Sequence, residues 1–162
     1  MKFVYISLLI LCFGICHSCK QQQPAEVTHK NENYIVWADP ITYEVLINNP
    51  DSLNHWESTK LKHVKQHELV DHLFEMVYSG QKQAYDYNTH EPISISEIKE
   101  LELKESFSRN KVGKLQFTET WLFEENSGKL KKDVQSILLA YEVYNDLGEL
   151  RGYKAAFYLK DF

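Results

Sequence analysis

The chain has 162 residues, 43% of them hydrophobic and 25% charged, and its 18 basic against 23 acidic side chains leave a net charge of −5. That length is enough for one domain with a proper core, and an acidic balance without a basic stretch argues against a nucleic-acid footprint. All three cysteines, Cys12, Cys16 and Cys19, lie near the N-terminus, which excludes a disulfide scaffold or a catalytic or metal-binding thiolate in the rest of the chain.

Lys2 precedes an apolar run from Phe3 to Ile15, too short for the roughly 20 residues that cross a bilayer as a helix. The pattern is that of a signal peptide over residues 1–18. Its end resembles the bacterial lipoprotein signal, in which a cysteine after a small residue is acylated. Ser18 stands directly before Cys19, whereas Cys16 follows the bulky Ile15 and fits poorly. A plain secreted protein and an uncleaved anchor are the other readings of the same pattern. On the lipoprotein reading Cys19 is the lipid attachment residue, the membrane is the first partner, and Lys20 resembles an outer-membrane sorting residue. A single acyl chain anchors only marginally, so stable attachment needs several. Residues 19–33 are polar, contain Pro24 and have no apolar period; they read as a flexible tether. Removal of residues 1–18 leaves 144 residues with 17 basic and 23 acidic side chains, net −6. Residues 34–162 are expected to form a single α+β domain.

That domain opens on "YIVW", strand formers at residues 34–37, interrupted by Pro40. "ITYEVLIN" reads as either a short strand or a helical turn, and Trp37 as a core anchor rather than a ligand platform. "NNPDSLNHWES" is a turn leading into a helix, with Asp51 or Ser52 as its cap. From about Thr59 to Tyr78 the spacing of Leu69, Val70, Leu73, Phe74, Met76 and Val77 predicts one long amphipathic helix, ended by Ser79 and Gly80.

Within it lies "HVKQHELVDH". On a helical wheel His63 and His67 sit together at the border of the apolar stripe, Asp71 follows on the polar flank, and His72 points away. The pair is four residues apart and could reach one metal ion. The zinc-protease motif, however, needs its second histidine where this chain has Asp71. A third ligand would have to come from His29, His55, His90 or a carboxylate. The expectation is therefore of ordinary helix-border and surface histidines, with no catalytic residue, metal or cofactor assigned; a metal- or ligand-binding protein using His63 and His67 is the alternative.

Ala84 and Tyr85 look extended, "DYNTHEP" is a turn, and Ser94 or Ser96 can cap a short second helix, with Glu97 or Glu100 near its positive end. Glu97, Glu100, Glu102 and Glu105 alternate with lysines and read as a solvated face. Strands follow. Leu115, Phe117, Trp121 and Phe123 alternate with Gln116, Thr118, Thr120 and Glu124, the clearest period of two in the chain. "ENSG" turns into "VQSILLAYEVY", and "NDLGE" turns into a third strand carrying Tyr153, Ala155, Phe157 and Leu159. The fold class expected is α+β: an antiparallel meander of three or more strands, one face buried under the long helix and a short second helix. Such a sheet displays no nucleophile, phosphate loop or convergent acid pair. Tyr141, Tyr144, Tyr153 and Tyr158 could furnish an aromatic contact patch, though strand tyrosines mainly pack.

Taken together, "ELVDHLFEMVYSGQKQAYDYNTHEPISISEI" and "KLQFTETWLFEENSGKLKKDVQSI" resemble the N protein family of the gliding-motility and type IX secretion machinery of Bacteroidetes. Ser79 and Gly80, Ala84 and Tyr85, and Glu119, Trp121 and Phe123 occupy the places of that family's small-Gly pair, Ala-Tyr pair and Glu, Trp, Phe alternation. The resemblance covers residues from about 68 to 140. The family's Trp- and Arg-rich opening is reduced here, and in that machinery the lipid anchor belongs to the N protein's ring partner. The resemblance implies a non-enzymatic part in a protein assembly on the periplasmic side of the outer membrane.

Overall fold

The computed structural model describes residues 34–162. The expected signal peptide, the expected lipid attachment at Cys19 and the expected tether lie outside the described residues.

The first strand, β1 (Tyr34–Leu46), runs on through Pro40, with irregular pairing between Val36 and Ile41. It therefore replaces the expected break by a bulged edge strand, the setting in which a proline without an N–H is tolerated. Asn48 to Leu53 then turn the chain, and the cap of the next helix is neither Asp51 nor Ser52: the Asn54 side chain accepts from the Glu57 amide at 3.1 Å.

The expected long helix is two helices, α1 (His55–Leu61) and α2 (Gln66–Tyr78). The break has a physical cause. α1 buries no residue, whereas α2 buries Val70, Leu73, Phe74 and Val77, and a helix is held mostly by an apolar face packed on something. At the start of α2 the buried Gln66 amide donates to the carbonyls of Arg109 and Val112, both at 3.0 Å. That bond fixes where α2 begins and leaves the chain from Lys62 to Lys65 to turn. α2 ends at Ser79, with Gly80 at φ +76°, a left-handed position that glycine takes without steric cost.

Short strands β2 (Ala84–Tyr85) and β3 (Pro92–Ile93) precede α3 (Ile95–Glu102). Ser94 is the cap of α3, in a capping box with Glu97. After a 3-10 turn at Arg109–Lys111 come β4 (Val112–Glu124), β5 (Lys129–Tyr144) and β6 (Leu150–Lys160). The meander is present, but it is the middle of a larger object: a six-stranded antiparallel sheet in the order β1-β4-β5-β6-β2-β3. The fold is thus mostly sheet with three short helices, and only loosely α+β. A meander under one long helix is not what the chain forms.

One face of this sheet holds the core. Phe74 of α2 stands edge-on to Phe157 at 5.0 Å, and Phe107 stands edge-on to Tyr141 at 5.0 Å. Ile98, Leu115, Leu139 and Leu159 close the same cluster. Each such side chain contributes about 1.5–3 kcal/mol by leaving water. Arg109 pins the layer from outside: Nε donates to Glu102 at 2.6 Å, Nη1 donates to Asp71 at 2.9 Å, and the guanidinium lies 4.3 Å from the Phe74 ring centre. Glu102, expected on a solvated face, is half-buried in this cluster and also accepts from the Tyr78 hydroxyl. Burial opposes its ionisation, but Arg109 and Tyr78 together hold it below the usual carboxylate range. The Tyr78 phenol is pushed up to about 12 by burial and by Glu102.

Candidate functional site

β4 keeps its alternation from Leu115 to Phe123, so Leu115, Phe117, Glu119, Trp121 and Phe123 share one face. Leu115 is in the helix-covered core and Phe117 packs against it; further along the same face Glu119 is still buried, and at the end Phe123 is 40% exposed. Neighbouring strands add to it by register. Ile35 and Leu130 both stand opposite Phe123, and Lys132 stands opposite Trp121. Trp37, bulged out of register, stacks on Trp121 at 5.2 Å, and Tyr43 meets Trp121 edge-on at 6.2 Å and stacks on Phe117 at 5.7 Å.

The outcome is an aromatic ladder with a substantial exposed surface: Trp37 is 67% exposed, Ile35 49%, Leu130 48% and Phe123 40%. Trp37 is therefore an exposed platform residue and not the core anchor expected of it. A contiguous exposed apolar patch with a polar rim is the mark of an interaction surface.

Electrostatics hold the ladder still. Glu119 is buried, and its Oε2 accepts from the Trp121 indole at 2.7 Å. Lys132 Nζ lies 3.8 Å from the same oxygen, 4.4 Å from the Trp121 ring centre and 5.2 Å from that of Tyr43. The buried carboxylate is thus paired with a cation and hydrogen-bonded, as a buried charge must be, and the ammonium sits over ring faces that attract it. Burial first, then Glu119, raises the Tyr43 phenol above its ordinary value, and Lys132 partly offsets this. The sequence pattern identified Trp121 and Phe123 as one face but did not reveal that the face was open, and Ile35, Leu130 and Lys132 were missed.

The other candidates are dispersed. His63 falls in the link between α1 and α2, so no continuous helix relates it to His67, and both are exposed. His67 lines a cleft of about 380 Å³ together with Lys62, Lys65 and Glu68, the last two ion-paired at 2.8 Å; His63 is not among its walls. Among the described residues no three His, Cys, Asp or Glu side chains gather in a way that could hold a metal ion. The four strand tyrosines do not form one patch. Tyr141 is buried in the helix-covered core, Tyr158 is buried outside that core cluster and pairs with His90, and Tyr144 is tied to Glu142.

Glu142 is a second buried carboxylate. It accepts from Asn48 Nδ2 at 3.0 Å and from the Tyr144 hydroxyl at 2.5 Å. Its hydrogen bond, then burial, pushes the Tyr144 phenol up to about 12. A Cβ at Gly113 would lie 2.5 Å from Glu142 Oε1, which explains a glycine at this buried position near the start of β4. Glu102, Glu119 and Glu142 are each engaged in holding the fold.

No protein-family model matches the chain, and no curated protein matches it.

Proposed function

We propose that the protein is a non-enzymatic docking component of the bacterial cell envelope, held by lipid at Cys19 on the periplasmic side of the outer membrane. The open half of the sheet is its contact surface for a protein partner. The observation that carries this reading is the aromatic ladder: large amphipathic rings, exposed yet fixed by a buried carboxylate and a lysine. Tyr and Trp are enriched among the few residues that dominate binding where proteins meet, and rings already held in place lose little freedom on binding. The bulges and Pro40 that interrupt β1 make its edge a poor template for adding a strand, so the face rather than the edge is the docking element. The resemblance over residues from about 68 to 140 supports a partner within a secretion or gliding assembly, with this chain as a lipid-anchored relative of the N protein family. No cofactor is required.

The test is a photo-crosslinking residue placed at Leu130 in the full chain, with the same residue at the exposed Leu103 as control, and adducts identified by mass spectrometry. The reading expects one envelope protein captured from Leu130 and not from Leu103, and its affinity, remeasured with purified components, to fall at least tenfold on Trp37→Ala. Capture equal at both positions, or an affinity indifferent to Trp37, would sink it. Capture of an envelope protein unrelated to secretion or gliding would remove the family relationship while leaving the docking role.

A further inference from the structure

A cleft of about 500 Å³ lies away from the open half of the sheet, between α3, the turn joining β2 to β3, and β6. Its volume is within the roughly 300–1,000 Å³ typical of small-molecule sites. Ala155 and Ala156 of β6 form part of its floor, beside Tyr141 of β5, and Ile98 of α3 and Ile93 of β3 flank it. The two alanines leave the space that larger strand residues would fill.

Tyr141 is the decisive residue. It is only 2% exposed, and its hydroxyl has no hydrogen-bond partner among the described residues. Yet no fully enclosed side-chain polar atom there is left without one. The hydroxyl is therefore the tip through which an otherwise buried residue opens to the cleft it lines. Tyr hydroxyls in such positions ordinarily have a partner.

Charges of both signs surround it. Lys154 stands opposite Tyr141 in the β5–β6 pairing, and Lys104 lies on the α3 side. Neither ammonium group is ion-paired among the described residues. Asp86 and Glu91 line one wall, Glu97 and Glu100 the other. Backbone amides of Thr89 and Asn88 hold the Asp86 carboxyl below its ordinary value, and Ser94 does the same for Glu97. These acids are spread along both walls of the cleft, where they can face the ammonium group of an organic ligand.

We propose that this cleft binds a small zwitterion of amino-acid to dipeptide size, its carboxylate taken by Lys154 and the Tyr141 hydroxyl and its ammonium by the acidic walls.

The test uses the full chain, methyl-labelled at isoleucine and alanine, titrated with glycine, glycylglycine and alanylalanine to roughly 10 mM, enough to saturate a site with a Kd of about 1 mM. The proposal expects saturable shifts at Ile93, Ile98, Ala155 and Ala156 with at least one of the three. N-acetylation or C-amidation of that ligand should each weaken binding about fivefold or more, the worth of one lost polar contact. Tyr141→Phe should do the same with the remaining methyl signals unmoved, since its hydroxyl holds nothing in the fold, and Lys154→Gln repeats the test at an exposed position. Absence of saturable shifts with all three ligands, or blocked forms that bind as well as the free zwitterion, would overturn it.

Discussion

The two halves of one sheet face differ more from each other than either does from the sequence pattern that produced it. At one end Phe157 of β6 is completely buried against Phe74 of α2; at the other, Trp37 of β1 is 67% exposed. A period of two says which side chains share a face, but nothing about whether another element lies over them. Length decides that. The thirteen residues of α2 extend about 20 Å, while the thirteen of β4 extend about 43 Å. Even laid along the strand, α2 could cover only half of it. The remainder is left to Trp37, Tyr43, Trp121 and their lysine, stiffened from below by Glu119.

If the halves have different tasks, mutations should separate stability from binding. The largest effect is expected in the covered half. Phe74→Ala removes the ring that meets Phe157, Phe107 and Arg109, and should cost about 4 kcal/mol, read as a lower urea midpoint. Arg109→Met comes next. It releases Glu102 and Asp71 together, and since these groups are partly exposed the loss is about 2 kcal/mol after allowing for solvent screening.

The same cluster sets two pH limits. Glu102 is held below its ordinary value in the folded protein, so its contribution is present above about 4.5, the unfolded value, and lost as pH falls through the lower folded one. Tyr78 is held up to about 12; its contribution is present below about 10, where the unfolded phenol ionises, and is lost as pH rises from there towards 12. Unfolding curves across both ranges should therefore fall at each end for the native protein. Arg109→Met should lessen the acid fall and Tyr78→Phe the alkaline one, the rest of each belonging to other shifted groups, among them Asp86 and Glu97 at the acid end and Tyr43 and Tyr144 at the alkaline end. An acid limb that Arg109→Met leaves unchanged would mean that Glu102 is not part of it.

Gly113→Ala should be milder, about 1–2 kcal/mol. The new methyl must displace the Glu142 carboxylate, which Asn48 and Tyr144 hold. Glu142→Gln in the same background tests the cause: if the clash is with a pinned carboxylate, the two losses should not add.

Much of the local structure was legible. Ser79 and Gly80 at the end of α2, Ala84 and Tyr85 as a strand, Ser94 as one of two possible caps and both hairpin turns follow from residue types acting on their own backbone. What was not legible depended on partners distant in sequence. The helix break at Lys62–Lys65 is set by the bonds from Gln66 to Arg109 and Val112, over 43 and 46 positions. β1 became a full strand because β4 was long enough to pair it past Pro40. Trp37 is not legible as exposed because a large aromatic looks the same in sequence whether a helix covers it or not. His63 and His67 drew attention through a helical spacing that the break removed.

The smallest effect on stability should come from the open half, and it separates the two halves most sharply. Trp37 is stacked on Trp121 but mostly solvated, so Trp37→Ala should change the unfolding free energy by only about 0.5 kcal/mol, as surface substitutions do. Were the ladder simply a continuation of the core, the loss would instead approach the ~3–5 kcal/mol of a buried aromatic. The comparison is sharpened by a second substitution on the same rung. Lys132→Met keeps the aliphatic stem over Tyr43 and Trp121 but leaves the buried Glu119 without its cation, which costs more than losing an exposed ring. A larger destabilisation from Lys132→Met than from Trp37→Ala, with the larger loss of partner affinity from Trp37→Ala, would assign the exposed ring to contact and the lysine to holding it. The reverse order would make the ladder a structural feature and leave the docking face to be sought elsewhere.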